Sequence, residues 1–539
     1  MKHLLKSLIL LFLIGVFHCS INAQQVNTLY FMENVPIRHY LNPAFQPTTK
    51  YYLSLPIIGF TQFNIGNNSL SLKDIVYNNN GQIITFLHPN GDINRFYNTL
   101  HSNTVIRTDL ETNLLSFGIK EDQSFWSFSL SEKINGMGSI PKDFFKFFLF
   151  GTPNIENNAF NINTLQADIT AYTEAAFGFS KKLDEKLSVG IKLKFLYGNA
   201  NVSNTNKEIS LNAGIEKWIL MAEGSTNASM PTQFQVDKNY QTVSITSPKN
   251  VTDWLKPSGL GAGVDLGVEY RLNKDMKISG AITDLGFLHW FTNVQNFNYI
   301  TNFTFDGLTQ VKNGNTNYQN LYTKLISGNY LADSLKSAIQ SASSIKRSNN
   351  NYNTGTTAKL NLGFEYNLLE DLSLGLLSHS QFSKKTITEE LTASVNLRPT
   401  KWFNASLSYS VLDGRMSSIG AGIGLKTGII HWFLAADYIP FQISTFSPSN
   451  FGANYPTFKI PVPYNSKDFN FAIGMNLVFN SLRAKDRNDS SSSQSDGLNT
   501  SPNANFNSKS KNKISSSSYN KQNGLYHKKS NNDCNCDLN

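Results

Sequence analysis

Residues 468–480 read DFNFAIGMNLVFN, and their side chains alternate between two chemical types. Every second position carries a bulky apolar residue: Phe469, Phe471, Ile473, Met475, Leu477 and Phe479. Because successive side chains of a strand point to opposite faces, this pattern predicts a strand with one apolar face. Soluble strands average ~5–6 residues, whereas a tilted strand that crosses a bilayer needs ~9–11. The stretch therefore has the length of a membrane-crossing strand.

The same alternation recurs in residues 187–197, 262–270 and 403–411, where Ser, Gly, Asn, Asp and Lys occupy the second face. A soluble β-sandwich also alternates, so the pattern alone leaves both architectures open. Two observations favour a barrel with lipid outside and a polar lumen inside. They are the strand length and a signal peptide for export predicted at residues 1–23. We therefore expect an all-β, antiparallel transmembrane β-barrel of about 14 strands, within a range of about 12–16.

The spacing of the connections supports this architecture. Short turns alternate without a break with longer segments along the chain, as outer-membrane barrels require. The region 199–258 is long enough to hide one more hairpin, which would raise the strand count to about 16. The predicted strands are 51–60, 112–120, 124–131, 166–180, 187–198, 259–271, 276–284, 356–367, 372–382, 389–397, 402–411, 418–426, 429–438 and 468–480.

The two ends of the chain differ from its body. Residues 1–23 predict a signal peptide, with Lys2 and Lys6 before a short apolar core; Cys19 leaves a lipoprotein as an alternative. No later run of ~18 apolar residues predicts a membrane-spanning helix. From Arg483 onward, Ser, Asn and Lys dominate, which predicts disorder. Cys534 and Cys536 lie in this tail, and two thiols make at most half a metal site, so we predict no metal and no cofactor.

These features divide the chain into four predicted parts. They are a signal peptide (1–23), an N-terminal plug segment (24–50), a barrel (51–480) and a disordered periplasmic tail (481–539). Much of the formal net charge of +9 belongs to the two ends. The body is therefore too weakly charged to indicate nucleic-acid binding.

Two short motifs carry a family resemblance. Tyr40 to Phe45 read YLNPAF shortly before the first predicted strand, and residues 279–287 read SGAITDLGF before Trp290. Over roughly residues 24–480 the chain resembles an uncharacterised family of Bacteroidota outer-membrane proteins, named only as a domain of unknown function. More distantly, it is similar to the long-chain fatty-acid transporter (FadL) superfamily, which includes PorV, the barrel subunit of type IX secretion.

The resemblance implies a barrel of about 14 strands whose N-terminal segment folds inward as a plug. For the characterised transporters it also implies uptake of hydrophobic molecules through a lateral opening. Asn42, Pro43 and Ala44 are then candidates for the plug and for a ligand path. The alternative is a simple turn, because proline fixes φ and asparagine can bond its own backbone.

Aromatic residues mark further candidates. Residues 141–150 read PKDFFKFFLF and predict a helix at the external mouth. Phe144, Phe147 and Phe148 share one face, which either collects hydrophobic ligands or packs against neighbouring loops. A second loop helix is predicted by the spacing of Leu331, Leu335, Ile339 and Ala342. Interfacial girdles are predicted at Trp126, Trp290, Trp402 and Trp432.

Catalytic signals are weak. His289 and His431 precede tryptophans and lack metal-ligand spacing, and no Gly-x-Ser-x-Gly motif or phosphate loop stands out. We therefore predict a barrel that is not an enzyme and that binds or passes a small hydrophobic molecule. An accessory barrel of secretion or surface assembly is the alternative, and a barrel lipase is a third reading. The expected partners are outer-membrane lipid and either the hydrophobic ligand or a secretion or surface protein, without nucleic acid.

Overall fold

The computed structural model describes residues 26–79, 82–151, 159–213, 217–236, 243–246, 256–305, 343–383, 386–412, 415–439, 443–446, 460–463 and 467–481. The predicted signal peptide, the predicted helix at 331–342 and the tail beyond residue 481 lie outside these ranges. The described helices are η1 (Asn27–Phe31), η2 (Pro36–Tyr40), α1 (Leu72–Ile75), α2 (Ile93–Thr99) and α3 (Lys142–Phe150). None of them is long and apolar enough to cross a membrane.

Strands make up most of the described chain. In order they are β1 (Thr49–Ser54), β2 (Thr61–Asn67), β3 (Val76–Asn79), β4 (Gln82–Thr85), β5 (Asn103–Glu121), β6 (Ser124–Pro141), β7 (Ala159–Asn161), β8 (Gln166–Lys182), β9 (Leu187–Ala213), β10 (Trp218–Ser229), β11 (Gln233–Val236), β12 (Val243–Thr246), β13 (Gly259–Arg271), β14 (Met276–Trp290), β15 (Gln295–Phe305), β16 (Ser343–Ser348), β17 (Tyr352–Gly355), β18 (Ala358–Leu369), β19 (Leu372–Ser383), β20 (Thr386–Leu397), β21 (Phe403–Leu412), β22 (Arg415–Thr427), β23 (Ile430–Asp437), β24 (Ile443–Phe446), β25 (Ile460–Pro463) and β26 (Asp468–Ser481).

The sheet closes on itself. β1 and β2 form one interrupted wall strand, because both pair with β26 on one side and with β5 on the other. From there the wall runs through β5, β6, β8, β9, β13, β14, β17 with β18, and then β19 to β23 and β26. This closed antiparallel barrel of 14 wall strands confirms the predicted fold class. Closure leaves the wall with no free edge, as a membrane-spanning sheet requires.

The first wall strand departs from the sequence prediction. A continuous strand was predicted over 51–60, but β1 ends at Ser54 and β2 resumes at Thr61. Pro56 lacks a backbone N–H, and Ile57 adopts a left-handed φ of 65°. The segment between the two halves therefore forms a turn with Ile57 and Ile58 exposed, in which the Gly59 N–H donates to the Leu55 carbonyl at 2.8 Å.

Several strands are longer than a bilayer requires. β9 has 27 residues, and only residues up to Gly198 pair with β13. The remainder of β9 pairs with β10, which pairs with β15, which pairs with β16. The additional hairpin considered for 199–258 therefore does not enter the wall, and the wall keeps the predicted number of about 14 strands.

The two faces of the wall have opposite chemistry. On β26, Asn470 and Asn476 are buried, whereas Ile473 and Phe479 are exposed. The same arrangement, with polar residues inside and large apolar residues outside, recurs on the other wall strands. A soluble sandwich would bury its bulky face, so this inversion identifies the outer surface as the lipid-facing one.

Three of the four tryptophans predicted for the interface are exposed on the outer surface. Trp126, Trp402 and Trp432 are exposed within a few residues of short turns, where an indole ring meets both lipid and water. The fourth prediction is wrong: Trp290 is buried, and its Nε1 donates to Thr354 Oγ1 at 2.9 Å. A β-bulge at Asp284 inserts one residue into β14, so the side chains beyond it change face.

Candidate functional site

The N-terminal segment, residues 26–48, packs inside the barrel. The helix η1 contacts β19 to β23. An apolar cluster joins this segment to the wall. The segment contributes Val26, Leu29, Met32, Val35 and Ile37, and the inner face of the wall contributes Phe60, Phe433, Ala435 and Ala472. A second cluster consists of Tyr30, Phe31, Phe45 and Leu377. Part of the lumen is therefore filled like the core of a soluble domain.

Inward-facing glycines make room for this segment. A Cβ at Gly363 would clash with the Tyr30 ring, and one at Gly375 would clash with the Phe31 ring. A Cβ at Gly190 would meet the backbone of Pro43. Because no side chain fits at these positions, the wall is shaped to the segment along several different strands.

The residues Asn42, Pro43 and Ala44 form a turn that is latched to the wall. The Asn42 Nδ2 donates to the carbonyls of Val268 at 3.2 Å and Gly280 at 3.3 Å. Its Oδ1 accepts from the Ala44 N–H at 2.9 Å, which closes an Asx turn. The amide of Asn42 is thus occupied by backbone groups, and a ligand contact at this motif remains a prediction.

Glu33 binds the N-terminal segment to the wall through ion pairs. Its carboxylate forms ion pairs with Lys277 and Arg398, and both cations also contact Glu365. Burial by itself would raise the pKa of the Glu33 carboxyl, but the attraction of Lys277 and Arg398 outweighs it. The pKa of Glu33 is consequently held well below its usual range.

A buried charge cluster fills the middle of the lumen. Asp284 lies 2.6 Å from Lys194 Nζ, 2.9 Å from Lys133 Nζ and 3.3 Å from Lys359 Nζ. Lys194 also pairs with Asp265 at 2.7 Å, and Lys133 with Glu174 at 3.1 Å. Positive and negative groups alternate around the cluster, so each buried charge has an opposite neighbour.

Asp284 occupies this place because of the bulge. Its φ of 58° is in the left-handed region, and its N–H donates to Asp265 Oδ1 at 2.7 Å. Regular pairing of β14 with β18 ends at Thr283, and pairing with β17 begins at Phe287. We call the interval between them, where β14 faces residues 356–357, the seam.

Two hydrogen bonds cross the seam. The Thr356 N–H donates to the Gly286 carbonyl at 3.1 Å, and the Thr356 hydroxyl donates to the Asp284 carbonyl at 2.5 Å. On the outer face Leu285 and Phe287 are exposed toward lipid. The seam is therefore a place where the wall has lost its regular ladder next to the charge cluster.

Two small cavities adjoin the cluster. One has a volume of about 30 Å³ and the other about 20 Å³. They share five lining residues: Gln62, Glu111, Lys133, Asp284 and Lys359. The smaller cavity also reaches Thr357 at the seam. Such volumes admit one or two water molecules each.

The helix predicted over residues 141–150 exists as α3, and its external location remains a prediction. Phe147 packs against Phe160 and Trp218, with ring centroids 5.6 and 5.7 Å apart. Phe144 joins the same cluster, whereas Phe148 is exposed. One face of α3 thus packs against its neighbours, whereas Phe148 and Phe150 are exposed and form an apolar surface.

Two buried histidines, His39 and His379, bond neutral groups. His39 Nε2 lies 2.6 Å from the Tyr52 hydroxyl, and His379 Nδ1 lies 2.6 Å from Asn361 Oδ1. Burial lowers the pKa of His39 well below its ordinary value, and Lys192 contributes in the same direction. Within the part of the chain that the structure describes, no group of three or more His, Cys, Asp or Glu residues is arranged to hold a metal ion.

Sequence reasoning did not single out the charge cluster. Its members stand at inward positions of wall strands, where Ser, Gly and Asn are more common. The available signal was the occurrence of Glu111, Lys133, Glu174, Lys194 and Asp265 within otherwise membrane-like strands. Ionisable residues at such positions are rare and tend to be paired.

These observations define the class of the protein: a transmembrane β-barrel of the outer-membrane type with an occupied lumen. A protein-family model described as a family of unknown function, DUF5723, matches residues 43–437, and the chain belongs to that family. No curated protein sequence matches it.

Three solved structures are among those to which the chain is similar. The Ralstonia pickettii toluene transporter TbuX shares 10% identity with a TM-score of 0.37, covering 85% of this chain and 96% of that one. The Pseudomonas putida toluene transporter TodX shares 9% identity with a TM-score of 0.37, covering 86% and 96%. A Pseudomonas aeruginosa FadL homologue shares 12% identity with a TM-score of 0.34, covering 83% and 94%.

Proposed function

We propose that this outer-membrane barrel binds a small hydrophobic molecule and passes it through the wall at the seam. In this proposal residues 1–23 direct export, residues 24–50 act as the plug, and the tail from 481 lies in the periplasm. The proposal assigns the chain no catalytic role. The observation that carries it is the interrupted ladder beside Asp284, which meets a lipid-facing apolar surface on one side and a cavity on the other.

The seam suits lateral movement for an energetic reason. Regular wall strands are held by a continuous ladder, and each lost backbone bond in lipid costs several kcal/mol unless it is replaced. At the seam Thr356 supplies the two replacement bonds, one through its backbone and one through its hydroxyl. Opening there breaks fewer bonds than opening at a regular pair of strands.

The external end supplies a surface for capture. Phe148 and Phe150 on α3 are exposed, and Leu87 is exposed in the segment between β4 and α2. Exposed aromatic and aliphatic side chains bind hydrophobic solutes and lipid acyl chains by removing apolar area from water. A molecule held there is on the same membrane face as the long strand extensions.

The filled lumen favours a second candidate, a non-transporting accessory barrel for secretion or surface assembly. The N-terminal segment packs against glycines of the wall. Asn42 binds it to the wall by hydrogen bonds, and Glu33 does so by ion pairs. A permanently closed barrel would present its external sheet to a protein partner. Co-purification of a stoichiometric protein without any ligand would favour this candidate.

A reversible clamp tests passage at the seam. Phe287 and Gly355 are register partners at its edge, and a Cβ added at Gly355 makes an ordinary van der Waals contact of 4.0 Å with the Gly286 carbonyl oxygen. The F287C/G355C pair is made with Cys534→Ser and Cys536→Ser and reconstituted into vesicles. We expect oxidation to reduce transfer of a fluorescent fatty-acid probe into the vesicles to the protein-free rate, and a reductant to restore it.

A matched clamp controls for the disulfide itself. Ile278 and Phe364 are lipid-facing register partners on the same part of the wall, within the regular ladder. Oxidised I278C/F364C protein should transfer the probe at the wild-type rate. Transfer that is unaffected by the seam clamp, or a wild-type protein that transfers no faster than protein-free vesicles, would refute the proposal.

A further inference from the structure

The interruption of the first wall strand is a second irregular place in the barrel. We call residues 55–60, between β1 and β2, the break. Regular pairing with β26 stops at Ser54 and Asn476 and resumes at Thr61 and Ile473, so six residues face two residues of β26. The seam lies on the other side of the barrel, because β5, β6, β8, β9, β13 and β14 separate the two places one way and β26 back to β18 the other way.

Backbone hydrogen bonds to the neighbouring strands are sparse at the break. The Ile57 N–H donates to the Asn113 carbonyl at 2.7 Å, and the Asn113 N–H donates to the Phe60 carbonyl at 2.8 Å. Toward β26, the Met475 N–H donates to the Ile58 carbonyl at 2.7 Å. Pairs of such bonds recur along a regular antiparallel edge, so the edge between the break and β26 has lost part of its ladder.

Both sides of the break are apolar. Ile57 and Ile58 are 62% and 52% exposed, as lipid-facing residues of the wall are, whereas Phe60 is 3% exposed. The Phe60 ring packs against Tyr40 of the N-terminal segment and Phe433 of β23, with centroid distances of 5.7 and 6.4 Å. It belongs to the apolar cluster that joins this segment to the wall. Apolar side chains therefore stand on the lipid side of the break and directly behind it.

The seam differs from the break in what lies behind it. At the inner side of the seam, Asp284 is paired with three lysines. Such groups remain polar, and a hydrocarbon chain gains no favourable contact from them. Behind the break, a chain instead meets side chains such as Val26, Leu29 and Met32. Of the two irregular places, the break is thus the one whose interior suits hydrocarbon.

Phe60 can leave the cluster at small cost when a chain replaces it. Lipid hydrocarbon is as apolar as the side chains of the cluster, so moving the ring toward lipid carries no large transfer penalty. The loss is the close packing around the ring, and an incoming chain restores that packing.

We propose that the break binds an acyl chain of a bilayer lipid, which takes the place of the Phe60 ring in the apolar cluster. The occupant is hydrocarbon because the cluster offers apolar side chains and the break faces lipid. Since Tyr40 packs against Phe60, a bound chain also changes the packing of the N-terminal segment. The inference goes beyond passage at the seam and does not depend on it.

Photolabelling from the bilayer measures the binding directly. The full-length protein is reconstituted with phosphatidylcholine that carries a diazirine midway along one acyl chain, irradiated, and mapped by mass spectrometry. We expect adducts on Leu29 and Met32, which an intact wall would shield from lipid. Phe60→Ala leaves a cavity that an apolar chain can fill, so these adducts should increase at least about fivefold. Phe60→Leu, which keeps an apolar side chain there, should give an intermediate increase.

A second apolar cluster provides the matched control. Tyr30 and Phe31 lie in the lumen with Leu377 of β19, which pairs regularly with β20, and they should remain unlabelled. Labelling of Leu29 and Met32 should also persist in the oxidised F287C/G355C protein, whose seam is closed. Leu29 and Met32 labelled no more than Tyr30 and Phe31, in both wild type and Phe60→Ala, would overturn the proposal. Loss of their labelling on oxidation of the seam clamp would overturn it too, because the chain would then enter at the seam.

Discussion

At the scale of single residues, Asp284 has the largest structural consequence. Its left-handed backbone creates the bulge, and its carboxylate collects three lysines. The bulge also reverses which side chains of β14 face the lumen, which buries Trp290. One residue therefore sets the wall geometry and the electrostatics of the adjacent cavity.

Replacement of Asp284 by Asn tests this role. Asn tolerates a left-handed backbone, so the bulge can persist while the negative charge is lost. Lys133, Lys194 and Lys359 then lack a shared partner, and we expect a loss of about 3–5 kcal/mol in the free energy of unfolding. Denaturant titration in detergent, followed by tryptophan fluorescence, measures the change.

The control is an exposed ion pair. Glu223 contacts Lys207 at 2.9 Å on the sheet formed by β9 and β10, and the exposed fractions of the two side chains are 41% and 76%. Glu223→Gln should alter the free energy of unfolding by at most about 1 kcal/mol. A similar loss in both variants would mean that the buried cluster gives no special stabilisation.

At the scale of elements, the docking of the N-terminal segment depends on Glu33. The folded pKa of its carboxyl lies well below the unfolded value of about 4.3. Folding therefore favours the ionised form. The stabilisation is complete above the unfolded pKa and is lost as the pH falls toward the folded pKa.

The expected result is a difference between two pH profiles. Thermal midpoints of the wild type, measured by circular dichroism in detergent from pH 7 to pH 3, should fall below about pH 4.3 more steeply than those of Glu33→Gln. The exposed Glu121→Gln variant should follow the wild type. If wild type and Glu33→Gln lose stability in parallel, the ion pairs of Glu33 do not hold the segment.

At the scale of the whole molecule, the tryptophans report the position of the barrel in the bilayer. Trp126, Trp402 and Trp432 share one end of the outer surface, whereas Trp290 is enclosed. An interfacial indole is close to lipid headgroups, and an enclosed one touches no lipid.

Brominated lipids distinguish these environments. In variants that retain a single tryptophan, Trp402 should be quenched more strongly by bromine near the headgroup than by bromine near the chain end. Trp290 should be quenched little by either lipid. Equal quenching of Trp290 and Trp402 would contradict the barrel orientation described above.

The sequence by itself determined the wall. Alternation of period two and spans of membrane length are local properties, so the strands, their number and the apolar outer face could be predicted from stretches such as 468–480. The turn before β2 was missed because Pro56 and Ile57 lie inside an otherwise alternating run. The face of Trp290 was missed because the bulge at Asp284 has no distinct sequence pattern.

Only the tertiary structure decided what the lumen contains. Thr28 and Asp437 are 409 positions apart, and the charge cluster draws on β6, β8, β9, β13, β14 and β18. No local pattern encodes such meetings, because they arise when the barrel closes and the N-terminal segment enters it. The alternation within each strand determines that these residues point inward. Closure of the barrel and the bulge at Asp284 determine which of them come into contact.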